Sequence, residues 1–529
     1  MSGTITPYRS EVRADRDGFA QLLRSEWTKF RTVRGWLIGM GVAILVTVLV
    51  GLLGPLGSTI SCNGPGGKAC RVDLPPTGPG GEAVTDSFTF VHQSLTGNGS
   101  ITVRATSLTG AYSETGPPGS GQSPTLPGSG LQPWSKAGII IKANTTAGSA
   151  YAAVMATGGH GVRMQYDFTH DTAGLPGIVS SDSPRWLRLT RSGDVITGYD
   201  SADGVHWTEI GTATLPGLAT TVQAGLFSAS PGYSIEAQSF GGISGVGGPT
   251  EATASFDDIS LQGTWPRGTW TGSAVGGGVG DGKTNPSFHE TADGLTVSGS
   301  GDIAPKTGGQ GTRSMSVETG LVGVFAGLIA VIVVAVMFMT AEYRRGLIRT
   351  TFAASPRRGR ILAAKSLVIG VATFVVGLVA AAIAIPIVEK LERDKGIYLL
   401  PVSPLTEVRV IVGTAALMAV AAVLALAVGT ILRRSAGAVT LVISIIVLPY
   451  ILAVAPVLPL GPAQWLLRVT PAAAFAIQQS TPQYSQVVTA YTPGNGYFPL
   501  SPWGGFAVLC GYTVLAFGAA VLLLRRRDA

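Results

Sequence analysis

The chain has 529 residues, of which 46% are hydrophobic and only 13% are charged. This composition excludes an ordinary soluble protein of the same length, because long uncharged stretches flank a polar middle region rich in Gly, Ser and Thr. The net charge of +7 does not indicate a nucleic-acid partner, because the basic residues lie in short clusters beside the apolar stretches.

Basic residues concentrate at one kind of position, next to the apolar stretches. Segments 1–34 and 342–365, with Arg433, Arg434 and the tail 525–529, contain 19 of the 37 Lys and Arg residues and only 6 acidic ones. The region 55–318 contains 13 basic and 20 acidic residues. Basic segments beside membrane spans stay in the cytoplasm. The sequence therefore predicts a protein of the cell membrane with both termini cytoplasmic and the middle region extracellular.

The first predicted element is an amphipathic helix within residues 1–35. Its apolar side chains recur at helical spacing on one face: Phe19, Leu22, Leu23, Trp27, Phe30 and Val33. Arg24, Thr28 and Arg31 fall on the opposite face. The pattern predicts a helix lying on the inner leaflet of the membrane. A helix that folds back onto a soluble partner is the alternative.

Six uncharged stretches are long enough to span the hydrocarbon core of a bilayer, which takes about 20 residues. They cover residues 36–56, 321–341, 367–388, 410–432, 437–459 and 504–524. The predicted fold is a polytopic α-helical membrane protein of about six transmembrane helices. Its large extracellular region, 57–318, is inserted between the first helix and the other five, which lie within 319–529.

Two cysteines lie just beyond the first span. Cys62 and Cys70 enclose a short Gly- and Pro-rich loop on the predicted outer side of the membrane. A disulfide is expected in that oxidising compartment. Two free thiols are the alternative.

The inserted region alternates short β-branched and aromatic runs with Gly, Asp and Pro turns. The candidate strands cover residues 87–91, 101–105, 138–143, 150–155, 162–168, 186–190, 195–200, 222–228 and 254–261. Many short strands at this spacing predict an all-β sandwich or jelly roll over about residues 84–263.

A nucleotide-binding motif occurs in the sequence but does not fit its surroundings. GGVGDGKT (277–284) matches the phosphate-binding pattern, which requires a buried strand before the glycines and a helix after them. Here a Gly-rich stretch precedes it and Pro286 follows. The five histidines show no zinc-ligand or triad spacing, so no metal site and no catalytic site are predicted.

The loop EYRRGLIRTTFAASPRRGRILAAK (342–365) contains seven basic residues and one acid. An anchor that fixes the orientation of the spans is one interpretation. A short cytoplasmic helix that transmits the motion of a partner ATPase is the other.

This loop and the segment LLRSEWTKFRTVRGW (22–36) resemble the two cytoplasmic elements of actinobacterial ABC-2 type transporter permeases. The resemblance covers residues 19–56 and 315–529. It implies a non-catalytic permease subunit without a cofactor of its own, paired with a second permease subunit and with separate ATPase subunits that use ATP. It also implies that the docking element for the ATPase contains Glu342, Arg344, Arg345, Thr350 and Arg357.

Two segments of the inserted region, WSKAGIIIKAN (134–144) and RWLRLTRSGDVITGYDSADGVHWTEIG (185–211), resemble concanavalin A-like domains of the laminin-G type. The resemblance implies a lectin-like domain in which aromatic rings stack on sugars. The candidate stacking residues are Trp134, Tyr151, Tyr166 and Tyr199. Packing of such residues in the core is the alternative. Asp200, Asp203 and Gly204 fit hairpin turns better than calcium ligands.

These observations favour the membrane-embedded half of an ATP-driven exporter of an amphiphilic or cell-envelope substrate. A membrane-anchored protein that binds envelope glycans or acts as a sensor, without transport, is the alternative. A membrane-tethered glycosidase is disfavoured, because no pair of carboxylates is evident on a predicted strand.

Overall fold

The computed structural model describes residues 18–526 except 58–73, 113–128, 240–241, 267, 277–286, 292–293, 309–313, 345, 347–357, 396, 456, 488 and 490. Helices form both ends of the described part of the chain, and a β-rich region lies between the second helix and the third.

Six helices in the described part of the chain are long and apolar enough to cross a membrane. They are α2 (Arg34–Gly57), α3 (Val324–Arg344), α4 (Arg358–Asp394), α5 (Pro404–Leu432), α6 (Ser435–Val454) and α8 (Pro502–Arg526). The shorter helices are α1 (Phe19–Thr32) and α7 (Leu460–Val469). The prediction of six apolar spans is confirmed for the length and composition of the helices.

The observed helices differ in their ends from the uncharged stretches that predicted them, and α4 differs most. α4 begins at Arg358 and ends at Asp394, whereas the uncharged stretch covers only residues 367–388. Its first turns contain Lys365 and its last turns contain several acidic residues. An uncharged stretch marks only the part of a helix that lies in the hydrocarbon core of the membrane. The helix itself can continue into the charged residues on either side.

The helices pack around α5, which contacts α3, α4, α6 and α8. α2 packs closely on the start of α3 at Gly323 and Gly327. A Cβ atom at either glycine would overlap atoms of Thr47 on α2. The four-residue spacing of small residues lets two membrane helices approach each other closely.

The segment between α6 and α8 is built of short helical pieces separated by prolines. α7 is followed by a buried 3-10 helix, Pro471–Gln478, and later by Pro493–Asn495. Trp465 and Trp503 are 62% and 64% exposed, which suits aromatic residues at a membrane interface.

Within the described residues, the β-rich region forms one 13-stranded sheet with two two-stranded additions, and a third two-stranded pair joins it to the helical part. The strands are β1 (Val84–Asp86), β2 (Phe88–Tyr112), β3 (Lys136–Lys142), β4 (Tyr151–Thr157), β5 (Val162–Tyr166), β6 (His170–Ala173), β7 (Arg185–Ser192), β8 (Val195–Ser201), β9 (Thr208–Thr214), β10 (Thr221–Ala229), β11 (Tyr233–Ser239), β12 (Gly242–Gly248), β13 (Thr250–Thr264), β14 (Thr271–Val275), β15 (Ser287–Thr291), β16 (Gly294–Gly299), β17 (Ile303–Pro305), β18 (Ser314–Met315) and β19 (Tyr398–Leu399).

The long strand β2 belongs to two layers that pack face to face. Its first half pairs with β10 and β14, and its second half pairs with β7 and β13. Strands β3, β4 and β5 of the first layer contact β7, β8 and β9 of the second. Alternate residues such as Ile139 and Val154 fill the space between the layers, as the two-residue period of a strand requires.

Every candidate strand of the sequence analysis overlaps an observed strand, and the candidates 101–105, 186–190, 195–200, 222–228 and 254–261 lie wholly within one. Residues 88–91 and 101–105 belong to the single strand β2. The candidate 162–168 is too long, because β5 ends at Tyr166 and Asp167 and Phe168 form a turn. The sheet also continues beyond residue 263, because β14 pairs with β2, and β16 pairs with β13. The short, Gly-rich strands after residue 263 lack the apolar alternation that marked the earlier ones.

The β-rich region contacts the helical part at a tight turn between β5 and β6. Asp167 and Phe168 occupy this turn with φ values of 42° and 61°. The Phe168 carbonyl oxygen accepts a hydrogen bond of 3.1 Å from Nε2 of Gln486, which is buried in the segment before α8. The short strands β18 and β19 pair in parallel and add a second link.

Candidate functional site

Three charged side chains from separate segments meet where α3 ends and α4 begins. Lys365 Nζ lies 2.6 Å from Glu26 Oε2 and 2.7 Å from Glu342 Oε1. The Lys365 side chain is fully buried, and both glutamates are nearly so. One buried cation therefore joins α1, α3 and α4.

Lys29 completes this group at its rim. Its Nζ lies 2.7 Å from Glu26 Oε1 and 3.2 Å from Glu342 Oε1. Partial burial lowers the pKa of Lys29, but the hydrogen bonds and charges of the two glutamates outweigh it, and the pKa is raised above its ordinary value. We call Glu26, Lys29, Glu342 and Lys365 the ion cluster. It holds two positive and two negative side chains, as buried charges require.

The helix α1 is placed against the bundle by the face that contains Glu26. Phe30 lies four residues further along this face and packs edge-on against Phe338 of α3, with ring centres 5.8 Å apart. The Lys365 ammonium lies 4.7 Å from the centre of the same Phe338 ring. Aromatic packing and ion pairing thus fix α1 at one position on α3 and α4.

Part of the predicted apolar face of α1 therefore packs against the other helices, and the rest is exposed. Phe30 is buried against α3, whereas Trp27 and Val33 are 44% and 43% exposed. Glu26 and Phe30 pack within the protein, so α1 also contacts the helical bundle, and its position on the inner leaflet stays a prediction. The exposed residues remain available to a membrane surface.

The ion cluster retains one free acceptor. Glu342 Oε2 is buried and has no hydrogen-bond partner within the described residues. A buried carboxylate oxygen without a donor costs about 1 to 3 kcal/mol. The cluster can therefore gain stability from one additional donor at this position.

Of the five predicted docking residues, the structure describes the side chain of Glu342 alone. Glu342 lies in the ion cluster and points its carboxyl group at Lys365 and Lys29 rather than at solvent. The side chains of Arg344, Arg345, Thr350 and Arg357 lie outside the described residues, as do Cys62 and Cys70. Sequence reasoning missed Glu26, Lys29 and Lys365. The available signal was Glu26 itself, an acidic residue within the apolar stripe of an amphipathic helix.

A second polar site lies at the opposite end of the helices. Arg409 of α5 donates a hydrogen bond of 2.6 Å to the Gln479 carbonyl oxygen beside an open cleft of about 550 Å³. The buried carboxyl group of Glu318 accepts a hydrogen bond from Ser480, which lines the same cleft. Apolar atoms of Phe498 and neighbouring residues form the rest of its wall. The cleft thus presents one cation next to an apolar surface.

Two of the four candidate stacking residues are buried in the β-rich region. Trp134 is 4% exposed and stacks on His160, with ring centres 4.1 Å apart. Tyr151 is fully buried and packs against Phe168. The prediction that Trp134 and Tyr151 stack on sugars is wrong, because neither ring has a free face.

The other two candidates are partly exposed. Tyr166 is half-buried and stacks on His170, with ring centres 4.1 Å apart. Tyr199 is half-buried on β8. Both remain candidates for contact with a ligand.

The loop after β8 has turn geometry. Asp203 accepts hydrogen bonds from the backbone N–H groups of Val205 and His206, and Gly204 has a φ of 76°. The His206 ring lies 2.6 Å from the Asp203 carboxylate, and the hydrogen bonds at this loop hold the pKa of Asp203 below its usual range. This is the chemistry of a hairpin turn. Among the described residues, no group of three or more His, Cys, Asp or Glu side chains is placed to hold a metal ion.

Comparison with known families identifies the helical part. The sequence profile described as "ABC-2 family transporter protein" matches residues 197–529, which is more than half of the chain. The chain belongs to the ABC-2 transporter family. It is therefore a multi-pass membrane component of an ABC transporter, and ATP hydrolysis belongs to a separate ATPase subunit. The match begins within β8, so it also covers the later strands.

Comparison with solved structures gives only weak likenesses, which cover about two fifths of the chain. A functionally unknown protein from Saccharomyces cerevisiae is 17% identical, with a TM-score of 0.22, and the alignment covers 37% of this chain and 85% of that one. Scytalido-glutamic peptidase with a transition-state analogue inhibitor is 11% identical, with a TM-score of 0.24, covering 41% and 99%. Likenesses of this size support no statement about function. No curated protein matches the sequence.

Proposed function

We propose that this ABC-2 transporter permease exports an amphiphilic or cell-envelope substrate, as one of two permease subunits paired with cytoplasmic ATPase subunits. The ion cluster is the observation that supports the proposal best. Lys365 and Glu342 lie on either side of segment 345–357, and their ion pair joins its two flanking helices. The second ion pair of Lys365, with Glu26, connects both helices to α1. A force applied to this segment therefore reaches three helices at once.

The proposed docking element consists of Glu342, Arg344, Arg345, Thr350 and Arg357. The basic members suit an acidic surface of an ATPase subunit, because complementary charge favours association and fixes orientation. Glu342 acts from inside the protein, through Lys365 and Lys29. Its Oε2 atom, which has no partner among the described residues, can accept from a donor brought to it by the docking element or the ATPase.

The proposed orientation places the ion cluster in the cytoplasm and the β-rich region outside the cell. The distribution of basic residues supports it, since the basic segments 1–34 and 342–365 contain all four residues of the ion cluster. An outer location also suits the proposed disulfide between Cys62 and Cys70.

Labelling of single cysteines in intact cells tests this orientation. We expect Ser120→Cys and Gly280→Cys to react with an impermeant maleimide, and Arg358→Cys to react only after the cells are opened. Mass spectrometry separates the introduced cysteine from the three native ones. Reaction of Arg358→Cys in intact cells would reverse the orientation.

The proposed substrate class rests on the cleft beside Arg409. A guanidinium group next to the apolar wall at Phe498 suits a molecule with an anionic or polar head and an apolar body. We further propose that the β-rich region is a lectin-like, concanavalin A-like domain that contacts envelope glycans, with Tyr166 and Tyr199 as its remaining candidate stacking residues.

Photo-crosslinking tests the proposed contact with the ATPase. A photoreactive amino acid at Thr350 should crosslink to an ABC ATPase subunit in native membranes, and mass spectrometry should identify the joined peptide. The matched control places the same amino acid at Arg526, at the same end of the helices. An ATPase crosslink from Arg526 but not from Thr350 would contradict the proposed docking element.

A further inference from the structure

A second cleft lies beside the ion cluster, on the other side of α3. It has a volume of about 390 Å³ between the last turns of α3 and the turn that joins α5 to α6. It is lined by Met337, Thr340, Ala341, Tyr343, Arg433, Arg434, Ser435 and Ala436. Neither the proposed docking element nor the ion cluster uses these side chains.

The turn between α5 and α6 consists of two consecutive arginines, Arg433 and Arg434. Arg433 ends α5 in the left-handed region, with a φ of 56°, and its N–H group donates to the Gly429 carbonyl oxygen. Arg434 is extended and precedes α6. The left-handed residue turns the chain sharply, so that two long apolar helices are joined through two consecutive basic residues.

Both guanidinium groups lack a carboxylate. Neither Arg433 nor Arg434 forms an ion pair with any acidic side chain that the structure describes. The guanidinium carbon of Arg433 lies 5.2 Å from the centre of the Tyr343 ring, which holds this group at the cleft. Arg434 is exposed. The cleft therefore concentrates positive charge without a counter-ion from the described part of the chain.

The start of α6 adds to this charge. Ser435 and Ala436 line the cleft, and no side chain caps the helix at Arg434. The first N–H groups of a helix have no acceptor within the helix and carry partial positive charge. Uncapped N–H groups next to two arginines provide several donors for the oxygens of one anion.

We propose that this cleft binds the phosphate of an anionic phospholipid headgroup. Phosphate suits the site because guanidinium groups and a helix N-terminus recognise its oxygens together. A lipid is favoured over a free phosphate because α3, α5 and α6 are all apolar spans that border the cleft. Met337 and Ala341 supply apolar atoms on its α3 wall, next to which the glycerol and acyl chains of a lipid fit.

The site has a consequence for the neighbouring ion cluster. Tyr343 lines the cleft, and the next residue towards the N-terminus, Glu342, belongs to the ion cluster. A bound headgroup therefore fixes the last turn of α3 from one side, while Lys365 fixes it from the other. The inference concerns a ligand of this chain alone and does not depend on the proposed transport function.

Lipid binding to the purified full-length chain tests the proposal. The chain is titrated with phosphatidylglycerol, with phosphatidylcholine or with inorganic phosphate, and binding is followed by native mass spectrometry and by the shift in Tm. We expect phosphatidylglycerol to bind and to raise Tm, and phosphatidylcholine to do neither. The double variant Arg433→Gln/Arg434→Gln should bind phosphatidylglycerol at least about tenfold more weakly, as loss of charge-assisted hydrogen bonds requires.

The matched control is Arg525→Gln/Arg526→Gln, which removes the same charge from exposed positions at the same end of the helices. It should bind phosphatidylglycerol as the parent does. Arg434→Gln alone, at an exposed position, provides the test if the double variant does not fold. Equal weakening in the cleft and control variants would overturn the site, and an equal Tm rise with inorganic phosphate would overturn the assignment to a lipid.

Discussion

Lys365 Nζ lies 2.7 Å from Glu342 Oε1, and this ion pair connects the end of α3 to the first turns of α4. The same ammonium group lies 2.6 Å from Glu26, a residue 339 positions away in the sequence. Segment 345–357 lies between the two helices that this cation joins. Its flanking helices are therefore held together independently of the segment itself.

Replacement of Lys365 by methionine should destabilise the protein strongly. The change leaves the carboxyl groups of Glu26 and Glu342 with only the partly exposed Lys29, and a buried ion pair that loses one partner costs about 3 to 5 kcal/mol. We expect a clear fall in the Tm of the purified chain. Glu26→Gln should restore part of the loss when combined with Lys365→Met.

Lys390→Met is the matched control for this prediction, because Lys390 is exposed on the same helix, α4. Its Tm should stay close to that of the parent. If Lys365→Met and Lys390→Met lowered the Tm equally, the buried ion pairs of Lys365 would not stabilise the protein.

Substitution of Gly323 by alanine should separate α2 from α3. A Cβ atom at this position overlaps the Thr47 carbonyl oxygen, which belongs to the backbone and cannot move aside as a side chain would. We expect a lower Tm and faster proteolysis of the α2 segment. Gly41→Ala on α2, where a Cβ atom has no neighbour within 4 Å, should leave both unchanged. A stable Gly323→Ala protein would refute the close approach of the two helices.

Replacement of Gln486 by leucine should loosen the contact between the β-rich region and the helices. The substitution removes the donor to the Phe168 carbonyl oxygen, and a buried carbonyl without a donor costs about 1 to 3 kcal/mol. Hydrogen–deuterium exchange should rise in the turn between β5 and β6. Gln483→Leu, at an exposed position of the same segment, should not change exchange in that turn, and a similar rise in both variants would argue against the contact.

The stability of the β-rich region should fall in mildly acidic solution because of His92. Burial lowers the pKa of His92 below 6.5. Its Nδ1 lies 2.8 Å from Gln223 Oε1, which can only accept, and its Nε2 lies 2.9 Å from Ser273 Oγ. The neutral ring satisfies both contacts, with Nδ1 as donor and Nε2 as acceptor, whereas a protonated ring would have to donate twice.

The sign of the pH effect follows from these pKa values. Well above pH 6.5 the imidazole is neutral in both the folded and the unfolded chain, so it contributes no pH dependence to the stability. As the pH falls below 6.5, the unfolded chain takes up a proton more readily, so the folded state loses stability. The fall in Tm from about pH 7.5 to about pH 5.5 should therefore be smaller for His92→Gln than for the parent. The exposed His289→Gln variant should keep the parental dependence, and identical behaviour of all three proteins would contradict the assignment.

Hydropathy predicted the six apolar helices, because the hydrocarbon core demands long uncharged runs. Alternation predicted segments of β2, β3, β4, β5, β7, β8, β10 and β13, because a two-layer core demands a two-residue period. It missed β6 and β9, in which most side chains are exposed or half-buried. The ion cluster did not follow from the sequence, since Glu26 and Lys365 meet only through tertiary packing. Alternation shows which residues share a face of a strand, but it does not show what covers that face. It therefore could not place Trp134 and Tyr151 in the core. Tyr151 lies on the second face of the first layer, which is covered by residues such as Val84 and Ile303.

ATP hydrolysis by the assembled transporter tests the central proposal most directly. The parent chain, purified from native membranes with its ATPase subunit, should hydrolyse ATP faster than the ATPase subunit alone. The variant Arg344→Glu/Arg345→Glu should insert normally, retain less of the ATPase subunit and lose most of this stimulation, because like charges weaken the docking contact. The control Arg525→Glu/Arg526→Glu should behave as the parent does. An Arg344→Glu/Arg345→Glu protein that inserts correctly and retains a fully stimulated ATPase would contradict the proposed coupling.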